Sequence, residues 1–338
     1  MLAGHADDTG VIEMTLPRAS LVRPEATPYY HVISRCVRQQ FLCGFDTRTS
    51  RDFTHRREWI RARMRQAAKA FAINIHAYAI MSNHFHLVVE LQPHQVLQWS
   101  DTEVIRRWRM AFKGPALLDR FTRGAKLSTG ERARIKMLIP LYRERLGSLS
   151  WFMRAINEPI ARMANQEDNV AGRFWDGRFK SQALLTAGAL IAAMAYVDLN
   201  PIRAGLASTP EDADYTSIQE RIRGRRGAGE PLEPLGDRLG DPGNRLCGLD
   251  DYLELVDWSG RFVQKDKIGV ISRTLPPLLV RLGLQPDGYT RLISRTERRF
   301  KNWIGPSHAM QHIAGLLGRR FLQGQGAAET VFQVPQSA

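Results

Sequence analysis

The chain has 338 residues, a mass of 38.3 kDa and 43% hydrophobic residues. That is long enough to bury a substantial core and suggests about two domains. Lys and Arg number 48 against 34 Asp and Glu, giving a formal net charge of +14 and a pI of about 10.2. Such an excess points to polyanion partners and disfavours an enzyme for cationic or purely apolar small molecules. Codon bias would explain why Arg is preferred over Lys, but not the excess over acids.

Cys36, Cys43 and Cys247 form no CxxC pair, so the sequence predicts free thiols in a reducing compartment. The N-terminus carries acids where a signal peptide would be basic and then apolar. The longest apolar stretch, Ala183 to Val197, is interrupted by Thr186 and Gly188 and is shorter than the roughly 20 residues that span a bilayer. The expectation is a soluble cytoplasmic protein with no membrane partner.

Residues 1–26 are polar and predicted loose. Tyr30–Val37 alternates and reads as a strand. Residues 51–70 place Phe53, Trp59, Ile60, Met64 and Ala67 at helical spacing. Ile73–Ile80 and His84–Leu91 read as strands joined by a tight turn at Met81-Ser82-Asn83. From Trp99 to Asn165 the pattern is helical, with breaks expected near Gly114, Gly124, Gly130 and Pro159. A strand is predicted within GRFKSQALL, then a helix over 186–199 with Thr186 as N-cap. Residues 223–248 are dense in Gly, Pro and charge and read as a linker, and 249–338 as a small helical region.

Two constellations could carry chemistry. In Asn83-His84-Phe85-His86, the period of a strand puts both histidines on one face. Two such imidazoles can chelate a metal ion, or they can simply decorate a solvated sheet face. No second H-x-[ST] motif supports a two-histidine phosphodiesterase. A zinc hydrolase would need a third ligand, for which His31 or His76 is available. In the second constellation Tyr196 and Asn200 lie four apart on one helix face. By residue type and spacing alone, the favoured readings are Tyr196 as an amphipathic core residue and Asn200 as an N-cap before Pro201.

AYAIMSNHFHLVVE, GRFWDGRFKSQALL and AYVDLNPIRAGLA, in that order after a YHVISR strand, resemble the single-tyrosine HUH transposases. These comprise insertion-sequence transposases and REP-associated tyrosine transposases. The resemblance covers roughly residues 14–222. It implies an α+β, ferredoxin-like catalytic domain over 27–222, an antiparallel sheet with helices on one side, followed by a helical C-terminal extension. It implies Tyr196 as nucleophile and His84, His86 and Asn200 as ligands of a divalent metal, Mg²⁺ or Mn²⁺. It also implies single-stranded or hairpin DNA as partner, location at the nucleoid, and either a monomer or a homodimer. The long stretch between the HxH and the tyrosine, and the region after about residue 223, depart from compact relatives.

The implied reaction is attack of the Tyr196 hydroxyl on a phosphodiester, giving a 5′-phosphotyrosine and a free 3′-OH. With a phenol pKa of about 10, roughly one tyrosine in a thousand is ionised at pH 7, so the site must favour the anion. Candidate DNA contacts are Arg35, Arg38, Arg173, Arg178, Lys180 and Arg203, with the clusters at Arg61-Ala-Arg63-Met-Arg65 and Arg106-Arg107-Trp108-Arg109. The alternative is a domesticated hairpin-binding protein without turnover. A replication initiator or relaxase is disfavoured by the lack of a GxxxxGK[ST] motif.

Overall fold

The computed structural model describes residues 21–37, 42–46, 50–224, 247–263, 279 and 282–332. Arg38 and nearly all of the expected linker lie outside them. The fold is α+β. Five strands form one sheet: β1 (Tyr29–Arg35), β2 (Ile73–Ile80), β3 (His84–Leu91), β4 (Lys180–Leu184) and β5 (Trp303–Ile304), in the order β2-β3-β1-β4-β5. Each neighbouring pair among the first four is antiparallel, and β5 runs parallel to β4. Helix α1 (Arg56–Ala70) follows β1 and α2 (Leu149–Glu167) precedes β4, which gives the expected βαββαβ connectivity.

Helix α1 buries Ile60, Met64 and Ala67, the apolar stripe read from its spacing. It packs with α2 on one face of the sheet, where Phe71 meets Phe152 edge-on at 5.6 Å. Asn157 of α2 donates to the Ser34 hydroxyl at 2.8 Å. Helix α2 is continuous through Pro159, where the sequence predicts an interruption or bend. Buried Phe152, Ile156, Ile160 and Ala164 hold the helix on both sides of the proline, so packing offsets the lost hydrogen bond. Of the expected glycine breaks, Gly130 instead lies in the first turn of a helix, Thr129–Leu146, because a Ser128–Glu131 capping box starts that helix two residues earlier.

The second face of the sheet is closed by helix α3 (Ala187–Asp198), which packs on β2, β3 and β4. Thr186 caps it as expected, accepting from the Ala189 N–H at 3.2 Å. Apart from its first residue, α3 is buried all round, as its uniformly apolar sequence requires. Helices α1 and α2 thus occupy one side as the resemblance implies, while α3 lies on the other.

The C-terminal region does not stand apart. Helices α4 (Leu249–Val263) and α5 (Pro286–Arg299) pack on α3, and β5 extends the sheet. The approach is close at Gly188, where a Cβ would sit 2.7 Å from the Leu282 carbonyl oxygen. At the opposite edge, β2 is covered by residues 215–221. Ile80 N–H donates to the Tyr215 carbonyl at 3.1 Å, Tyr78 N–H to the Ser217 hydroxyl at 2.9 Å, and Arg221 to the His76 carbonyl. The three cysteines are free, as expected, and all are buried. Burial pushes the Cys43 thiol up to about 12, against the pull of Arg57 and Arg56.

Candidate functional site

The site grows from strand register. In the β1–β3 pair, Ile33 lies opposite His86 and Arg35 opposite His84. Opposed residues share a face, so His84, His86, Arg35 and His31 all point to the α3 side. The His84 and His86 rings lie 4.7 Å apart. His86 is fully buried and His84 half-buried, so His86 is no ornament of a solvated sheet. Burial, reinforced by neighbouring His31, His84, Arg203 and Arg35, holds the His86 imidazole well below its ordinary pKa. It is therefore a neutral base with a lone pair to offer.

The end of α3 delivers the second constellation. Asn200 is the first residue of a short helical turn, Asn200–Arg203, whose N-cap is Leu199 and not the expected Asn200. Its side chain turns inward, and Nδ2 lies 2.8 Å from His86 Nε2. The Tyr196 ring stands edge-on to both His31 and His86 at 5.8 Å. Tyr196 is 3% exposed, and the Arg203 guanidinium sits 4.1 Å over its ring while donating to the Ile293 carbonyl at 2.8 Å. The structure thus brings together His84, His86, Tyr196, Asn200 and Arg203.

No family model and no curated protein matches the chain. A solved structure described as "Structure of the REP associates tyrosine transposase bound to a REP hairpin" is similar at 13% identity, covering 64% of this chain and 88% of that chain, with a TM-score of 0.36. Among the described residues no helix is long and apolar enough to cross a membrane.

Neither alternative third ligand serves a three-histidine zinc site. His76 pairs with Glu90 at 3.2 Å, four residues along β3 from His86. His31 directs Nε2 to His86 Nδ1 at 2.9 Å, nitrogen to nitrogen. Among the described residues no group of three His, Cys, Asp or Glu side chains is arranged to hold a metal. The set His84, His86 and Asn200 still fits a divalent cation in kind: two imidazoles and an amide suit a borderline ion such as Mn²⁺ better than the oxygen-seeking Mg²⁺. An amide coordinates through oxygen, so Asn200 would present Oδ1 in place of Nδ2.

The candidate DNA contacts divide sharply. Arg35 ends β1 opposite His84, and Lys180 starts β4 opposite Ile33. Residues 174–176 are strapped to the end of β1, with Val37 N–H donating to the Phe174 carbonyl at 2.9 Å and Asp176 N–H to the Arg35 carbonyl at 2.8 Å. Arg35, Arg173, Arg178 and Lys180 are exposed at this end of the sheet. In the helical clusters most arginines are ion-paired, and Arg63 donates to the Gln66 side-chain oxygen at 2.9 Å. Arg61 pairs with Glu58, Arg65 with Glu220, Arg106 and Arg107 with Glu103, and Arg109 with Asp119.

Sequence reasoning missed Asp198, which lies between Tyr196 and Asn200 and is fully buried. Its carboxylate accepts from Tyr252 at 2.5 Å, from Ile218 N–H at 3.0 Å and from the Ser217 hydroxyl. Burial pushes this carboxyl up, opposed by Arg221 and by those three donors. Asp198 fastens the end of α3 to the segment after it and to α4.

Proposed function

We propose that the chain is a metal-dependent single-strand DNA endonuclease and strand transferase, a tyrosine transposase acting on hairpin DNA through a 5′-phosphotyrosine. The observation that carries this reading is the contact of Asn200 with His86, residues 114 apart in sequence, with Tyr196 edge-on to the same imidazole. Two motifs that are separately ambiguous meet at one point on the sheet.

Tyr196 Oη bonds to phosphorus as the P–O3′ bond breaks, the phenol giving up its proton and the 3′ oxygen taking one up. The guanidinium of Arg203 over the ring favours the negative charge that develops on the hydroxyl. His84, His86 and Asn200 would hold the divalent cation, which supplies charge stabilisation at the scissile phosphate. The exposed cations at the His84 end of the sheet grip the flanking backbone. The linkage formed is again a phosphodiester, so a 3′-OH reverses the step without ATP.

The test is a denaturing gel with labelled hairpin DNA and Mn²⁺ or Mg²⁺. The wild type forms a covalent adduct, EDTA abolishes it, and Tyr196→Phe abolishes it while retaining hairpin binding. An adduct with Tyr196→Phe overturns the nucleophile assignment. The burial of Tyr196 favours a second reading, a hairpin-binding protein without turnover. Hairpin binding with no adduct under either metal supports it.

A further inference from the structure

The imidazole of His86 is the far end of a chain of hydrogen bonds that begins in the C-terminal region. Gln182 Nε2 donates to the Phe300 carbonyl at 2.6 Å, where α5 ends and the chain turns into β5. A carbonyl only accepts, so this bond fixes the Gln182 amide and leaves Oε1 as the acceptor facing His31 Nδ1 at 2.8 Å. His31 Nδ1 therefore carries the proton. In a neutral imidazole the other nitrogen is then bare, so His31 Nε2 accepts, and His86 Nδ1 donates across the 2.9 Å contact. The two rings lie within 12° of parallel with centroids 5.1 Å apart, as rings meeting edge to edge do. His86 then has its lone pair on Nε2, where Asn200 lies at 2.8 Å.

Both imidazoles are fully buried, where an imidazolium is costly. The register makes the arrangement a property of the sheet. His31 lies opposite Gln182 in one pair and diagonal to His86 in the other.

We propose that Gln182, held by the Phe300 carbonyl, is a positioning residue that acts through His31 to fix His86 in its Nδ1-protonated form and aim the bare Nε2 at Asn200. The C-terminal region thereby sets the state of a ligand whose strand lies more than two hundred residues earlier. Ligating histidines generally depend on such an outer partner for tautomer and orientation. The proposal rests on reading His86 as a site residue, but the proton arrangement can be measured without metal or DNA.

The experiment is long-range ¹H–¹⁵N NMR on metal-free, ¹⁵N-histidine-labelled full-length protein. The wild type is expected to show pyrrole-type Nδ1 and pyridine-type Nε2 for both His31 and His86. A protonated Nε2 on His86, the pattern a charged His31 would give, overturns the proposal without needing any variant to fold. Gln182→Met, similar in volume but unable to accept, is expected to mix the tautomers and weaken Mn²⁺ binding by about 10-fold or more. Unchanged tautomers in Gln182→Met overturn the role of Gln182. Correct tautomers with no Mn²⁺ binding in the wild type leave the relay standing and refute the metal reading instead.

Discussion

Asn200 Nδ2 and His86 Nε2 stand 2.8 Å apart across 114 residues of sequence, at the junction of a helix end and a central strand. The contact is between two neutral groups in a buried setting, Asn200 being 6% exposed. Replacing the amide by a carboxylate should therefore have opposite effects with and without metal. Asn200→Asp is expected to lower the midpoint of thermal unfolding in EDTA, because it buries a charge. It is expected to tighten Mn²⁺ binding by about 10-fold, because ligand charge sets affinity for hard and borderline cations. Calorimetric titration checks this, and an unchanged affinity would remove Asn200 from the ligand set.

The four exposed cations at the His84 end of the sheet should act as phosphate contacts, whereas the ion-paired helical arginines should not. Each phosphate contact to a single strand contributes about 0.7 to the slope of log K against log salt. The Arg178→Ala, Lys180→Ala double variant is expected to reduce that slope by about 1.4. Arg106→Ala, whose guanidinium is paired with Glu103, should leave it unchanged. Fluorescence anisotropy with a labelled hairpin over a salt series measures both, and an equal loss in the two variants would contradict the division.

Tyr252 reaches from α4 to the buried Asp198 carboxylate at 2.5 Å. Tyr252→Phe leaves that carboxylate one donor short and is expected to cost about 1–3 kcal/mol in urea denaturation. Because Asp198 separates Tyr196 from Asn200, adduct formation should fall more than the lost stability alone would cause at a temperature where the variant is folded. Unaltered activity in the folded variant would show that the α3 end holds its place without this bond.

Glu90 supplies the pH dependence. Burial alone would raise its carboxyl, but hydrogen bonds from His76, Asn74 and Gln92 outweigh burial and hold it below its ordinary 4.5. A carboxyl lowered in the folded state stabilises fully above its unfolded value, and the contribution is lost as the pH falls through the folded one. Wild-type stability is expected to drop more steeply below about pH 4.5 than that of Glu90→Gln. Parallel pH profiles for the two in chemical denaturation would assign the acid sensitivity elsewhere.

Much of the sheet was legible because its strands alternate cleanly and its turns carry their own signals. Met81-Ser82-Asn83 joins β2 to β3 as read, with Met81 N–H bonded to the His84 carbonyl at 2.8 Å. Thr186 capped its helix for the same local reason. The ligand-like pairing of His84 and His86 followed from the two-residue period. What escaped the sequence was non-local. Nothing near Gln182 announces that its amide is fixed by a carbonyl at Phe300, and nothing near Asp198 announces Tyr252. The breadth of the core escaped for a related reason: His86 lies on what alternation marks as the polar face, and only the placement of α3 buries it. The partners of the charge runs were equally non-local, since Glu220 and Asp119 approach Arg65 and Arg109 from other elements.

The β2 margin of the sheet is taken. Along β2, the outward groups of His76, Tyr78 and Ile80 are bonded to Arg221, Ser217 and Tyr215, and beyond β4 lies Trp303–Ile304. An unpaired strand margin is where a second chain or a stray peptide adds itself to a sheet. With the seats along β2 filled from within the chain, strand addition at that margin would first require residues 215–221 to be peeled away. Two copies that associate without such unfastening must therefore meet away from the β2 margin, and the segment that locks β2 in place also shields the strand next to His84 and His86 from exchange with a second chain.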